Sequence, residues 1–177
     1  MTAVDLAPVQ WSYADARLRF VRGNILDTAA APEGSLDLVL CCSAIEHVGL
    51  SRYGNRLDQN GDLKAMGRLR SLLKAGGTML LTIPVGMDTG VEPRHRVYGT
   101  GRLPLLLMGF EIKKHEFWTK DKDNRWRIVH ELEALHWRPT QNCYALGCFV
   151  LSNKGVNRNG SLSSGESVIA PVGTGMP

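Results

Sequence analysis

The sequence predicts an α/β fold with a mainly parallel sheet, helices on the sheet faces and an antiparallel edge near the C-terminus. Two buried strands support this prediction, because residues 36–42 and residues 78–83 are near-continuous apolar runs. Such runs are typical of parallel strands that are covered on both faces. Between them, residues 62–74 place leucine and methionine at helical spacing. Strands that alternate with helices or long crossovers favour a parallel sheet.

Two short strands are predicted before these elements. Residues 2–6 form a short apolar run that ends before Pro8. Residues 18–22 alternate apolar and charged side chains and are closed by Gly23 and Asn24, which predicts a strand followed by a turn.

The central helix has recognisable ends in the sequence. Asn60 or Asp62 is the expected N-terminal cap, and Gly76 and Gly77 are expected to end the helix. The preceding residues 52–61 are rich in glycine, asparagine and aspartate, which predicts a loop. A short helix is also expected directly after the strand at 36–42.

The C-terminal half predicts one short helix and two further strands. The helix covers residues 102–109, with Pro104 in its first turn. Residues 110–118 and 144–151 read as strands that can form the antiparallel edge. Residues 119–127 read as a charged, turn-like connector.

Length and composition predict a single α/β domain over residues 1–152. A chain of 177 residues can bury a core of its own. Residues 153–177 are rich in glycine, serine, asparagine and proline, which predicts a disordered tail. No apolar run approaches the roughly 20 residues that span a bilayer, and the N-terminus has no signal-peptide pattern. We therefore expect a cytoplasmic protein.

The four cysteines do not predict a metal site. Cys41 and Cys42 are adjacent in an apolar run, and Cys143 and Cys148 lie in another. None has the CxxC spacing of zinc sites, so buried thiols are expected.

The formal net charge of +4 leaves two interpretations of the basic C-terminal half open. One is a non-catalytic module that binds nucleic acid or another anionic partner, and the favoured one is a solvated strand pair and loop. The residues concerned are Lys113, Lys114, Lys120, Lys122, Arg125 and Arg127, together with Phe117, Trp118 and Trp126.

Polar residues at the ends of three predicted strands indicate a binding cleft, because ligands of open parallel sheets bind at the carboxyl ends of the strands. Asp5 can accept hydrogen bonds from ribose hydroxyls. Asn24 can contact the edge of adenine while Ile25 covers its face. Cys42 and Ser43 are expected to form the floor of the cofactor cleft.

A second polar cluster follows the strand that ends near residue 84. Arg94, His95, Arg96 and Tyr98 lie in a loop that leaves the carboxyl end of this strand. These side chains are predicted to grip an anionic acceptor, and a solvated loop is the alternative.

The order of these peptides resembles a class I S-adenosylmethionine-dependent methyltransferase, a Rossmann-like fold, from its second strand onward. The peptides are Val4-Asp5, Gly23-Asn24, Leu36-Asp37-Leu38-Val39, Ile45-Glu46-His47-Val48 and Leu73-Lys74-Ala75-Gly76-Gly77. A narrower resemblance, over residues 43–110, is to domain-of-unknown-function family 268. It rests on residues 45–50, 52–54, 61–66, 83–86, 95–99 and 102–104.

This resemblance implies S-adenosylmethionine as cofactor and identifies no acceptor, so small-molecule and macromolecular acceptors stay open, as does a partner chain. Glu46 and His47 match the family's Glu-His pair. Glu46 is assigned to the acceptor side. His47 is either a general base for an acceptor hydroxyl or amine or a hydrogen-bonded helix histidine. Metal binding is not implied, because Ser43 stands where some relatives have a further glutamate.

The resemblance also implies a glycine-rich loop and a strand before Asp5, and only four residues precede Asp5. We therefore expect a truncated form that binds the cofactor weakly or not at all and is inactive alone. The implied strand would lie between the strands at 2–6 and 36–42. These two strands are expected either to pair directly or to expose unpaired edges.

Overall fold

The computed structural model describes residues 1–8, 15–51, 57–91, 95–140 and 144–155. Within these ranges the strands are β1 (Thr2–Asp5), β2 (Arg19–Arg22), β3 (Leu36–Cys42), β4 (Leu73–Val85), β5 (Thr89–Val91), β6 (His95–Val97), β7 (Phe110–Lys120), β8 (Trp126–Val129) and β9 (Ala145–Asn153). The helices are a 3-10 helix (Ile45–His47), α1 (Gly61–Leu72), α2 (Arg102–Leu106) and α3 (Glu131–Leu135). None of these helices has the length and apolar character needed to cross a membrane.

The main sheet has five strands in the order β3-β4-β9-β7-β8. β3 and β4 run parallel, and the other neighbours run antiparallel. β1 and β2 form a separate parallel pair, while β5 and β6 form a separate antiparallel pair. The predicted α/β class and the antiparallel C-terminal edge are therefore confirmed.

The antiparallel part of the sheet is larger than predicted, because the charged connector runs into a strand. The Asp121 carboxylate accepts hydrogen bonds from the backbone N–H groups of Asp123 and Arg125 and closes a turn there. β8 then pairs with β7 from Trp126 onward. The β5–β6 hairpin and α3 also lie outside the predicted elements, since segments this short show no clear periodicity.

β1 and β3 lie in different sheets. Among the described residues, β1 pairs with β2 and β3 pairs with β4, and no pairing joins the two parallel pairs. Of the two expected arrangements, the structure therefore shows unpaired strand edges rather than direct pairing.

The hydrophobic core lies between the main sheet and its helices. β3 contributes Val39 and Cys41 to this face, β4 contributes Met79 and Leu81, and α1 contributes Met66. Alternate residues of a strand point to opposite faces, so the intervening side chains lie on the other face.

That other face is apolar and exposed around β3. Leu38 is 51% exposed and Leu40 is 58% exposed. The strand register places Leu40 beside Leu80, which is 38% exposed. We call Leu38, Leu40 and Leu80 the open apolar row.

The predicted central helix is confirmed with different ends. Asn60 occupies the N-cap position without a side-chain capping bond, and Asp62 lies in the first turn, fully buried. The helix ends at Leu72, because the next residue already has extended backbone. Gly76 and Gly77 lie inside β4, at the irregularity where the pairing with β3 shifts.

The last described strand ends at Asn153. Asn153 closes β9, and its side-chain amide donates to the carbonyls of Arg70, Leu73 and Lys74 at 3.0–3.2 Å. The predicted tail lies outside the described residues from position 156 onward.

Candidate functional site

Asp5 and Asn24 follow neighbouring parallel strands at the same edge of their sheet. The N–H of Gly23 donates to the Asp5 carbonyl at 2.9 Å. The exposed Asp5 carboxylate accepts the N–H of Ala7 at 2.8 Å, and the half-buried Asn24 side chain accepts the N–H of Leu26 at 3.1 Å. Each polar side chain is thus fixed by a local turn of its own.

Two cavities border these strand ends. A cavity of about 590 Å³ lies between the loop after β2 and the loop that leads to α1. It is lined by Asn24, Leu26, Asp27, Gly49, Leu57, Asp58 and Lys64. A second cavity, of about 520 Å³, is lined by Leu6, Ala7, Pro8, Arg22 and Gly23.

The aliphatic residue beside Asn24 in the larger cavity is Leu26. Ile25, which the sequence assigns to the face of adenine, packs partly against the hydrophobic core, and so does Leu26. Residues 25–27 form a turn, in which successive side chains point in different directions. Of the two, Leu26 lines the cavity, so it is the better placed to contact a ligand there.

Cys42 and Ser43 are exposed at the carboxyl end of β3. Ser43 has a φ of +48°, in the left-handed region. Its N–H donates to the Thr82 carbonyl at 2.9 Å, and the Ser43 and Thr82 hydroxyl oxygens lie 3.4 Å apart. Non-glycine residues rarely adopt this backbone, and such residues cluster at functional sites. Thr82 is a further polar residue at this strand end, and it was not predicted from the sequence.

Glu46 and His47 lie on the 3-10 helix that follows Ser43. Glu46 is 2% exposed, and its Oε1 lies 3.8 Å from Nε2 of the half-buried His47. The His47 ring meets the ring of His95 edge-on, with centroids 6.4 Å apart. His95 in turn lies 5.4 Å from the ring of Tyr144. The structure thus brings together three predicted residues and adds Tyr144 to them.

Arg96 points into the protein and is 5% exposed. Its Nη1 donates to the carbonyl of Val48 at 2.6 Å and to that of Glu46 at 3.5 Å. Its Nη2 donates to the carbonyls of Asp58 at 3.1 Å and Gln59 at 3.3 Å. These contacts join the 3-10 helix to the loop before α1.

Asp62 is the centre of this buried polar network. Its carboxylate accepts two hydrogen bonds from Arg102, at 2.9 and 2.6 Å, and one from the Tyr98 hydroxyl at 3.1 Å. Arg96 Nε lies 3.7 Å from the same carboxylate. Burial raises the pKa of Tyr98, and the Asp62 charge raises it further. The hydrogen bond to Asp62 raises the pKa of Arg102.

These contacts correct the prediction that Arg96 and Tyr98 grip an anionic acceptor. Both side chains are buried, and their polar groups bond within the chain, so they lie behind the site. Arg94, the first residue of that predicted cluster, lies outside the described residues. The sequence assigned Asp62 a possible capping role only, so its place in this buried network was not predicted.

The positive charge of the β7–β8 hairpin is divided among ion pairs. Three cations have an acidic partner at 2.6–2.7 Å, and Lys120 lies over the Trp126 ring. The pairs are Lys113–Glu111, Lys114–Glu116 and Arg127–Glu133. This arrangement gives the nucleic-acid alternative little support, because that alternative needs a clustered basic face.

The described cysteines are free thiols in three different settings. Burial raises the pKa of Cys41 to about 12 and also raises the pKa of Cys148. Cys42 is exposed, and Cys143 lies outside the described residues. Within the described ranges, no three His, Cys, Asp or Glu side chains converge as metal ligands would.

The fold is similar to those of three solved proteins. SpnF, a 4+2 cyclase, aligns with a TM-score of 0.51 at 12% identity, over 77% of this chain and 57% of that chain. The 1,6-didemethyltoxoflavin-N1-methyltransferase of Burkholderia thailandensis was solved with S-adenosylhomocysteine bound. It aligns with a TM-score of 0.52 at 17% identity, over 87% of this chain and 61% of that chain. A SAM-dependent methyltransferase of Archaeoglobus fulgidus aligns with a TM-score of 0.54 at 14% identity, over 86% of this chain and 75% of that chain. The chain therefore spans less than two thirds of the first two proteins.

At these identities the likeness shows the fold and not the activity. One of the three proteins is a cyclase, and the other two are methyltransferases. No curated protein matches the chain. A family model described as "Caenorhabditis protein of unknown function, DUF268" matches residues 21–144, which is most of the chain. The chain therefore belongs to the DUF268 family and has a class I methyltransferase-like fold.

Proposed function

We propose that this chain is a methyltransferase-like protein that binds the nucleoside half of S-adenosylmethionine. The observation that carries this proposal is the cavity of about 590 Å³ beside Asn24. It lies at the end of a parallel strand, which is where ligands of such sheets bind.

The residues at this edge fit a nucleoside. The exposed Asp5 carboxylate has the acceptors that ribose hydroxyls need, and the Asn24 amide lines the larger cavity. Leu26 and Leu57 give that cavity apolar walls, which suit the face of a purine. Cys42 and Ser43 are exposed at the end of β3, as required of a cleft floor.

His47 is the proposed general base on the acceptor side. The cofactor would supply an electrophilic methyl group on a sulfonium. His47 would accept the proton of an acceptor hydroxyl or amine, and the adjacent Glu46 carboxylate would favour the protonated imidazole. Half-burial leaves part of the imidazole accessible for this role.

The methionine half of the cofactor needs a glycine-rich turn, where backbone can approach without a Cβ. Methyl transfer would take place where such a turn holds the methionine half beside the nucleoside. The acceptor, whether a small molecule or a macromolecule, would then meet the cofactor next to His47.

Calorimetric titration with S-adenosylhomocysteine tests the proposal. We expect weak, saturable binding that Asp5→Ala weakens by about ten- to hundred-fold, because a hydrogen bond to a charged group contributes about 1.5–3 kcal/mol. Asp37→Ala is the matched control, since this exposed aspartate lies near the opposite end of β3. Absence of heat from folded protein at millimolar ligand would refute the proposal, as would equal losses in the two variants.

A further inference from the structure

Arg96 holds the backbone on both sides of His47. Its Nη1 donates to the carbonyls of Glu46 and Val48, the two residues that flank His47 in the chain. The 3-10 helix has one turn and its N-cap makes no side-chain hydrogen bond. Contacts from outside the helix therefore contribute much of what fixes its position.

The second guanidinium nitrogen ties the same helix to the loop before α1. Arg96 Nη2 donates to the carbonyls of Asp58 and Gln59, and the N–H of Asp58 donates to the Gly49 carbonyl at 2.9 Å. A Cβ at Gly61 would lie 2.9 Å from Gly49 Cα. The two loops thus pack backbone against backbone, and any movement of Arg96 would be passed to both.

Asp62 keeps the guanidinium in place. Its buried carboxylate lies 3.7 Å from Arg96 Nε and balances the positive charge on that side. The other two guanidinium nitrogens then point at backbone carbonyls. A planar fork of donors suits this task, and a lysine ammonium at the same position could not reach both loops in a fixed geometry.

We propose that Arg96, held by Asp62, is a positioning residue that sets the orientation of the His47 imidazole at the candidate site. This inference rests on the proposed function only for the statement that His47 acts as a base. The alignment of His47 by Arg96 can be measured without any ligand.

Arg102 provides a matched control for loss of stability. It also binds Asp62, through two hydrogen bonds, and it donates to the Gln59 carbonyl. Among the described residues, the side-chain hydrogen bonds of Arg102 go to Asp62 and to Gln59. Loss of either arginine fork therefore disturbs Asp62, and only the loss of Arg96 removes the contacts around His47.

The test compares Arg96→Lys and Arg102→Lys by nuclear magnetic resonance of the histidine rings, with His47→Gln used to assign the His47 signals. We expect Arg96→Lys to shift the His47 ring signals by more than their line width and to weaken their cross-peaks to the His95 ring. Arg102→Lys should leave both unchanged. Signals of His115 on β7 serve as the internal reference. Equal changes in the two variants, or unchanged His47 signals in Arg96→Lys, would overturn the proposal.

A measurement on the unaltered protein covers the case in which Arg96→Lys does not fold. The Nη protons of Arg96 should give separate signals that exchange slowly with water, because they are buried and bonded to fixed carbonyls. Averaged, rapidly exchanging signals would contradict the proposal. Titration with S-adenosylhomocysteine tests the proposed cofactor binding separately. The positioning of His47 can therefore be measured even if the cofactor does not bind, and cofactor binding can be measured even if Arg96 does not position His47.

Discussion

A carboxylate with no exposure to solvent needs compensating charge and hydrogen bonds, and Asp62 receives both. Arg102 binds its two oxygens, Tyr98 donates a third hydrogen bond, and Arg96 lies close by. Breaking a buried pair is costly because the remaining charges lose their partner. Removal of the Asp62 carboxylate would leave the positive charges of Arg96 and Arg102 without this partner.

Asp62→Ala should therefore lower the free energy of unfolding by about 3–5 kcal/mol. Asp58→Ala is the comparison, because Asp58 forms a 2.6 Å ion pair with Lys64 at the surface. Its removal should cost about 1 kcal/mol or less. Urea unfolding of both variants measures the difference, and similar losses would contradict a central role for Asp62.

The raised pKa of Tyr98 predicts a dependence of stability on alkaline pH. An unfolded tyrosine ionises near pH 10.0, whereas folded Tyr98 keeps its proton to a higher pH. The folded state then binds more protons, so its stability falls as the pH rises above about 10. Below that pH the contribution of this group is fully present.

Tyr98→Phe isolates this contribution. At neutral pH the variant should be less stable by about 1 kcal/mol, because Asp62 loses a hydrogen-bond donor. The difference from the unaltered protein should stay constant up to about pH 9 and shrink as the pH rises above about 10. Denaturant unfolding at several pH values measures it, and a constant difference would show that Tyr98 does not titrate as inferred.

The place of the candidate residues along the chain could be predicted from strand patterns, whereas the partners of their side chains could not. The positions of Asp5, Asn24 and Ser43 at or just after strand ends follow from strand patterns and the rule for open sheets. The inward orientation of Arg96 does not, because it depends on carbonyls 37–50 residues away in the chain. A single sequence carries no record of such distant contacts.

At the scale of elements, long periodic segments were predictable and short ones were not. α1, β3 and β4 lie where apolar spacing places them. β5, β6, β8 and α3 are three to five residues long, and their formation depends on tertiary packing rather than on local pattern. The ends of α1 differed because the extended backbone of β4 begins before the glycines.

Substitution by threonine should change the free energy of unfolding by different amounts on the two faces of β3. Val39 is 9% exposed in the core, whereas Leu40 in the open apolar row is 58% exposed. Val39→Thr should lower the free energy of unfolding by about 1–3 kcal/mol, because it buries a hydroxyl. Leu40→Thr should change it by about 0.5 kcal/mol or less.

Leu40→Thr should also reduce self-association, since it interrupts an exposed apolar surface beside an unpaired strand edge. Light scattering at increasing protein concentration measures this effect, and thermal unfolding measures stability. Equal destabilisation by the two threonine substitutions would show that both faces of β3 are covered in solution.

At the scale of the whole molecule, a net charge of +4 is distributed rather than focused. The ion pairs of the β7–β8 hairpin neutralise three of its cations locally. A weakly focused field gives weak steering of polyanions.

We therefore expect no saturable binding of a single-stranded oligonucleotide at physiological salt. Fluorescence anisotropy of a labelled oligonucleotide measures this over a range of salt concentrations. Binding that is tight at physiological salt and falls steeply as salt rises would instead favour the alternative of a nucleic-acid module.

β9 is the last strand of the described residues, yet it lies between β4 and β7 in the sheet. During synthesis, the β3–β4 pair and the β7–β8 hairpin leave the ribosome before the strand that joins them exists. Their contacts with β9 are distant in sequence, which slows folding. A stop codon before residue 145 would thus yield two disconnected sheet fragments rather than a shorter version of this protein. Chaperone capture of nascent chains should persist until β9 has emerged.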